Sequence, residues 1–353
     1  MIPREFLRGN EALALGALKA GLNAFFGYPI TPSSEIPETL SREFGKQRYP
    51  EFKAFLQSAS ELEAVNMAIG AASTGAKVMM ATSGPGFSLK QEGISYAAGM
   101  ELPLLIVDVN RSGPGLGNLG PEQSDYFQAT KGGGHGGHRN IVIAPNSVQE
   151  MAMFPGWGFS LAFKYRNPVV ILADAFLGEL KEDIVFPKVS RERYDSAWAT
   201  TGAIANQRHL LISLNMELED QSNRLEHLET KYKLIDKVES RFESYLLDDA
   251  DVVLIAYGIV SRVCLEAVNK LRFKGSKVGL FRPTTLSPFP SEQLRNLTNG
   301  RNVLVVELNM GQMLYDVKLA VSQPDKVNLL RKFGGLLPTS DDIVKEVSKI
   351  YGN

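Results

Sequence analysis

The chain has 353 residues, 44% hydrophobic and 22% charged, enough for two domains of ordinary size with separate cores. A formal net charge of −1 argues against the clustered Lys/Arg excess that nucleic-acid binding requires, and no apolar run approaches the ~20 residues needed to cross a bilayer. The amino terminus, Met1-Ile2-Pro3-Arg4-Glu5, lacks a secretory apolar core, so a soluble cytoplasmic protein with small-molecule or protein partners is expected.

Helical and strand patterns alternate through the first ~190 residues, which predicts a doubly wound α/β core with helices on both faces of a sheet. Asn10 is placed to cap a helix over 11–19 that Gly21 closes, and Ala24-Phe25-Phe26-Gly27-Tyr28 follows as a strand stopped by Pro29. Apolar runs predict further strands at 77–82, 103–109, 140–144 and 168–173. Residues 217–245 are polar, with Leu225, Leu228, Tyr232 and Ile235 at helical spacing, and read as a helix connecting two domains. From Asp251 the alternation resumes with a strand at 252–256, a helix at 262–273 and strands at 278–281 and 303–307. The expected division is a domain over 1–200, a connecting helical segment over 201–247 and a smaller α/β domain over 248–353.

Three loops lie where a strand ends and a helix begins: Tyr28-Pro29-Ile30-Thr31-Pro32-Ser33-Ser34, Thr82-Ser83-Gly84-Pro85-Gly86-Phe87, and Asn110-Arg111-Ser112-Gly113-Pro114-Gly115-Leu116-Gly117. The carboxyl ends of strands in an open α/β sheet face the ligand crevice, so these loops are expected to share a site. Thr31 reads as a helix N-cap with Pro32 at the first helical position, a helix end suited to a carboxylate; the plainer alternative is a cap without a ligand. Gly84 and Gly86 permit close backbone approach around the stiff Pro85, but neither a Gly-Lys-Ser/Thr ending nor a Gly-x-Gly-x-x-Gly fingerprint supports nucleotide binding. Arg111, the cation at the end of an apolar strand, either clamps a carboxylate bidentately or pairs with Asp108.

Helical spacing puts Glu61 on one face with Val65, Ala68 and Ala72 and turns Glu63 roughly 200° away. Glu61 is therefore the acid expected to be buried, with a pKa raised by its apolar surroundings and suited to proton exchange; alternatively both acids simply favour the helix dipole. In Lys131-Gly132-Gly133-Gly134-His135-Gly136-Gly137-His138 two imidazoles lack obvious further metal ligands, so a mobile substrate loop or a subunit contact is expected. Cys264 is the only cysteine, which excludes an internal disulfide and an iron–sulfur cluster held by about four thiolates; it reads as a small buried hydrophobe.

Gly9-Asn10-Glu11-Ala12, Gly27-Tyr28-Pro29-Ile30-Thr31-Pro32-Ser33-Ser34, Thr82-Ser83-Gly84-Pro85-Gly86-Phe87-Ser88-Leu89, Gln91-Glu92-Gly93-Ile94-Ser95-Tyr96 and Val306-Glu307-Leu308-Asn309-Met310-Gly311-Gln312 span nearly the whole chain. In that combination and order they resemble the pyrimidine-binding (alpha-type) subunit of 2-oxoacid:ferredoxin oxidoreductases. Gly113-Pro114-Gly115-Leu116-Gly117 and the run from Asp125 to Gly136 look like the branched-chain type, which acts on 2-oxoisovalerate (3-methyl-2-oxobutanoate).

The resemblance implies a thiamine-diphosphate-binding domain followed by a transketolase C-terminal-like domain. It implies one subunit of an enzyme that converts a 2-oxoacid and coenzyme A to acyl-CoA and CO2 while reducing ferredoxin. By the same resemblance Glu61 bonds the cofactor's ring nitrogen N1′, while Tyr28, Pro29, Ile30, Ser83, Gly84, Pro85 and Gly86 bind its pyrimidine half. Thr31 and Arg111 match the residues that receive the substrate carboxylate. The Gly-Asp-Gly motif that holds Mg2+ and the diphosphate is absent from the sequence, so the resemblance implies a beta-type partner that carries them. A small gamma-type subunit and a ferredoxin-like delta-type subunit, with the iron–sulfur clusters on partner chains, complete the expected assembly. Two alternatives stand: the same reaction on 2-oxoglutarate or an arylpyruvate, and a non-catalytic assembly subunit.

Overall fold

Strands made of unbroken apolar runs set the centre of the molecule. In the computed structural model, which describes residues 4–186, 194–202 and 208–352, the first half runs β1 (Glu5–Arg8), α1 (Gly9–Lys19), β2 (Ala24–Gly27), α2 (Glu35–Gly45), β3 (Ala54–Gln57), α3 (Glu61–Ala72), β4 (Val78–Thr82), α4 (Gly84–Gly99) and β5 (Leu105–Asn110). It continues through α5 (Tyr126–Thr130), β6 (Ile141–Ile143), α6 (Val148–Tyr165), β7 (Val169–Asp174), α7 (Ala175–Glu179) and β8 (Lys181–Ile184). After α8 (Leu218–Val238) come β9 (Phe242–Tyr245), β10 (Val252–Ile255), α9 (Gly258–Phe273), β11 (Val278–Pro283) and β12 (Thr285–Ser287). The chain then closes with α10 (Ser291–Thr298), β13 (Asn302–Glu307), α11 (Met313–Ala320), β14 (Val327–Arg331) and α12 (Ser340–Gly352).

The main sheet has seven strands in the order β12-β6-β7-β5-β4-β2-β3, parallel except where β12 joins. β5 and β7 are buried at every position, as strands covered on both faces must be. The doubly wound core expected from the alternation is thus present. A second sheet of five strands runs β14-β13-β10-β11-β9, with only β9 antiparallel, and β1 pairs with β8 as a separate two-stranded ribbon.

Side chains of α1, α2 and α6 fill one face of the main sheet, and Leu228, Tyr232 and Ile235 of α8 extend that core. The opposite face is packed by α3 and α4 in a core that runs on into the second sheet through Leu247, Val253, Ile255 and Phe281. The outer face of the second sheet is covered by α9 and α12, and Cys264 lies there fully buried, its thiol pushed up by burial.

Four details differ from the sequence reading. α1 begins at Gly9, so Asn10 lies inside the helix instead of capping it, and Arg8 holds the N-cap position; Gly21, at φ +87°, follows the helix end. Tyr28 lies just past β2 and is exposed. Leu225 stands half outside the α8 core, because three apolar positions suffice to seat that helix. The segment 201–247 is not wholly helical and connecting: residues 242–245 form β9, and β12 from beyond residue 248 returns to the main sheet, so the two α/β units interlock.

Candidate active site

Strands β3, β2, β4 and β5 are consecutive and parallel, so the segments leaving their carboxyl ends meet at one edge of the sheet. From β2 the chain steps outward to β3 and then crosses back to β4, which opens the crevice between the loops after β2 and β4.

Glu61 opens α3 at that edge. Ser60 caps the helix by accepting from the Glu63 N–H at 3.2 Å, and the Glu63 carboxylate accepts from the Ala59 N–H, just before the cap, at 2.9 Å, so both bonds fix the helix start. Glu61 is 2% exposed while Glu63 is exposed, as helical spacing predicts. The Thr82 hydroxyl, at the end of β4, donates to Glu61 Oε1 at 2.6 Å, and Lys90 Nζ, from α4, donates to Oε2. The expectation of purely apolar surroundings is therefore corrected: a fully buried ammonium faces the carboxyl. Lys90 carries no sequence signal, because a lysine at one helical position reads as a solvated charge.

Gly86 explains why the loop after β4 must bend as it does. A Cβ there would sit 2.1 Å from Glu61 Oε1 and 2.3 Å from Thr82 Oγ1, so only glycine lets α4 start against the carboxylate. The Ser83 hydroxyl beside it is buried without a partner, and Pro85 occupies the first turn of α4. Tyr28 and Pro29 are exposed at the rim and Ile30 is half-buried.

Arg111 and Thr31, 80 residues apart in sequence, are brought together: Arg111 Nη1 donates to the Thr31 carbonyl at 2.8 Å, and its Nε is buried without a partner. Thr31 does not cap a helix; α2 starts at Glu35 behind Ser34, and residues 29–34 form a turn braced by Ser33, whose hydroxyl donates to the Ile30 carbonyl at 2.8 Å. Asn10 supplies the anchor that the cap reading missed, its Nδ2 donating to the Pro32 carbonyl at 2.8 Å and to Glu35 Oε2 at 2.9 Å. Nor does Arg111 pair with Asp108. That carboxyl turns the other way, toward Asp125, Asn110 and Gly84, because successive strand residues face opposite sides of the sheet and Asp108 and Arg111 lie three positions apart.

Asp108, fully buried, and Asp125, half-buried, bring their carboxyls together beneath the bend of residues 83–86. Burial lifts Asp125 from 3.8 to about 6, and burial together with the neighbouring Asp125 pushes Asp108 up as well. Asn110 Nδ2 donates to Asp125 Oδ2, while Asn110 Oδ1 accepts from the Ser124 N–H at 3.0 Å. The pair was invisible in sequence because its members lie 17 positions apart in a strand and a loop.

The Gly/His tract leaves this crevice. His135 offers its carbonyl to the Ser95 hydroxyl at 2.8 Å, His138 is buried, and the tract lines a cavity of about 520 Å³ with Tyr96, Leu228 and Tyr232. That cavity adjoins the far end of α4, about 20 Å along the helix from Gly84.

Residues 15–246 match the family model described as "Pyruvate flavodoxin/ferredoxin oxidoreductase, thiamine diP-bdg", and residues 250–343 match "Pyruvate:ferredoxin oxidoreductase core domain II". The chain belongs to the 2-oxoacid:ferredoxin oxidoreductase family. Among its relatives, ketoisovalerate oxidoreductase subunit VorB of Methanothermobacter marburgensis is 49% identical over 99% of this chain and 98% of its own length. The 2-oxoglutarate synthase subunit KorA of the same organism is 37% identical over 98% of this chain and 99% of its own. The 2-oxoglutarate:ferredoxin oxidoreductase of Magnetococcus marinus superposes with a TM-score of 0.89 at 28% identity, over 98% of this chain and 65% of that one. A split-gene transketolase shares the fold, with a TM-score of 0.60 at 13% identity over 99% of both chains. The chain is thus an alpha-type subunit of a multi-subunit oxidoreductase with a thiamine-diphosphate-binding domain.

The residues at the crevice fit the pyrimidine half of such a cofactor. Glu61 keeps acceptor capacity beyond its two bonds, the buried Ser83 hydroxyl lacks a partner, and Gly86 lets the loop after β4 close directly onto the carboxylate. Among the described residues no group of three His, Cys, Asp or Glu side chains is arranged to hold a metal ion, and no helix is long and apolar enough to cross a membrane.

Proposed function

We propose that this subunit grips the aminopyrimidine half of thiamine diphosphate in a cytoplasmic complex that converts a branched-chain 2-oxoacid, 2-oxoisovalerate, to acyl-CoA. Carbon dioxide leaves and ferredoxin takes the two electrons released. The observation that carries this reading is Glu61: a buried carboxyl held by Thr82 and Lys90 at the open edge of the sheet, with Arg111 and Thr31 in a neighbouring loop.

Bound thiamine diphosphate supplies a carbon nucleophile for the 2-oxo group and an electron sink as CO2 departs. This chain's residues prepare that chemistry. Glu61 would accept a hydrogen bond from the ring nitrogen, residues 28–30 and 83–86 would hold the ring, and the Ser83 hydroxyl, buried without a partner, would gain one there. Arg111, with one guanidinium edge spent on Thr31, turns its unpartnered Nε to the substrate carboxylate. Thr31 holds that arginine through its carbonyl and lies beside the same carboxylate.

Magnesium and the diphosphate fall to a beta-type partner, and the iron–sulfur clusters to other chains, since a single buried cysteine cannot ligate one. Gamma-type and ferredoxin-like delta-type subunits complete the complex. Leu62 and Met67 of α3 and Leu89 and Tyr96 of α4 are exposed on the two helices that frame Glu61 and form the surface on which the beta-type chain docks. The full-length identity with ketoisovalerate oxidoreductase subunits supports the branched-chain substrate.

The test is coenzyme-A-dependent reduction of ferredoxin by the co-expressed complex, comparing 2-oxoisovalerate, 2-oxoglutarate and pyruvate by kcat/KM. Preference for 2-oxoisovalerate is expected, and Glu61→Gln is expected to lower turnover by roughly 10²-fold or more, the scale of acid–base assistance. Preference for 2-oxoglutarate would overturn the substrate, and native turnover in the Gln variant would make the chain a scaffold.

A further inference from the structure

Nothing in that chemistry uses the charge on Lys90, yet burying an ammonium is costly. Lys90 lies in the second turn of α4, is fully buried, and donates to Oε2 of Glu61 while Thr82 donates to Oε1. Burial pulls the lysine below its usual range, and the Glu61 charge pulls it back up. Losing either partner leaves the other charge uncompensated, so the two must be read as a unit.

An ammonium has three donors and no acceptor, so the oxygen that faces it is held as an acceptor. A carboxyl this deeply buried without a cation favours its protonated form, because desolvation penalises the charge. The protonated group could then donate to the Thr82 oxygen and close the site upon itself, with less capacity for an incoming N–H. With Lys90 in place, Thr82 and Lys90 each occupy one lone pair of the carboxylate and leave the others open. Among the described residues, Lys90 on α4 is the charged group in contact with Glu61; β4 contributes the neutral Thr82, and Glu63 on the same helix is turned away to the Ala59 N–H.

We propose that Lys90 is a positioning residue that holds Glu61 ionised and oriented, so that the carboxylate accepts a hydrogen bond from the protonated ring nitrogen of the cofactor. The ring N–H donates, Glu61 accepts, and Lys90 keeps its three protons. This rests on the proposed function, since it needs an aminopyrimidine ring against Glu61.

The experiment compares thiamine diphosphate with an analogue whose ring N1′ is replaced by C–H, titrated calorimetrically into the co-expressed apo complex at neutral pH. The native complex is expected to prefer the true cofactor. Lys90→Met, close in volume but uncharged, is expected to lose at least ~10-fold of that preference near neutral pH, one charge-assisted hydrogen bond's worth. In a Glu61→Gln background, adding Lys90→Met is expected to change the ratio no further, which separates action through Glu61 from general damage to the fold.

Should Lys90→Met not fold, the 13C carboxyl resonance of Glu61 in the native complex, assigned by its loss in Glu61→Gln, decides the matter: a carboxylate at pH 7 supports the proposal and a protonated carboxyl overturns it. A folded Lys90→Met complex with native preference overturns this inference alone. A native complex that does not distinguish the two compounds overturns the placement of the ring, and the inference with it.

Discussion

Replacing Gly86 with Ala tests the crevice most directly, since one methyl group enters a space already filled by two oxygens. The new Cβ would lie 2.1 Å from Glu61 Oε1 and 2.3 Å from Thr82 Oγ1, over an ångström inside ordinary contact. The helix cannot back away cheaply, because the Gly86 N–H is bonded to the Ser83 carbonyl at 2.8 Å and Phe87 is buried in the core on the next residue. Glu61 must therefore move and its 2.6 Å bond to Thr82 must lengthen or break. Overpacking costs about 1–3 kcal/mol and losing a hydrogen bond to a charged group about 1.5–3 kcal/mol, so about 2.5–6 kcal/mol is expected. A displacement of about 1 Å at the carboxylate should in addition reduce turnover about 10²-fold. Urea unfolding and ferredoxin reduction by the co-expressed complex read the two effects separately. Gly45→Ala is the control: its Cβ meets nothing within 4 Å in the last turn of α2, so the protein should gain about 0.5–1 kcal/mol. Gly86→Ala with stability and turnover both at native values would refute the contact between the loop and Glu61.

The Asp108–Asp125 pair predicts a pH effect of definite sign. Because Asp125 rises from 3.8 to about 6 on folding, its stabilising contribution is complete below about 3.8 and is lost as pH climbs through about 6, a change of about 3 kcal/mol. Asp125→Asn removes that titration, so its stability relative to native should increase between pH 5 and pH 8 in urea melts; a constant difference would contradict the buried pair. Arg111→Met should raise the 2-oxoacid KM and lower kcat/KM about 10–100-fold, and Arg111→Lys should recover little, since a lysine cannot replace the fork that bonds Thr31 and a carboxylate together. Asn10→Ala, far from any substrate, should cost about 2–4 kcal/mol through its two lost bonds to Pro32 and Glu35 and should weaken substrate binding by freeing the 29–34 turn; an unchanged KM would show that Asn10 serves stability alone.

Much of the frame was legible because strand cores are written as apolar runs. β4, β5, β6 and β7 fall within a residue or two of the expected positions, and the burial of Glu61 followed from helical spacing alone. β3 escaped notice since Ala54-Phe55-Leu56-Gln57 is an edge strand, half-exposed and only four residues long. β1 and β8 are four-residue strands of mixed character that exist through pairing with each other, a long-range fact that no local window contains. In the crevice, Thr31 and Arg111 were rightly grouped, yet their bond runs through a backbone carbonyl that carries no residue-type signature. Lys90, Asp108 and Asp125 remained hidden for one reason: a buried charge is recognised by its partner, and partners are set by the fold.

The strand of residues 285–287, lent by the second α/β unit to the edge of the first, carries a consequence for cutting the chain. Thr285 and Ser287 pair with β6, and Leu286 packs with the core between the units, so a fragment ending near residue 247 would bare both a row of unsatisfied peptide groups and the apolar seam behind them. Such a fragment should self-associate through β6 although every loop of the crevice is present in its sequence. The two recognisable segments of this polypeptide are thus separable as text but not as objects: the later one acts as a built-in stopper for the earlier one's sticky border.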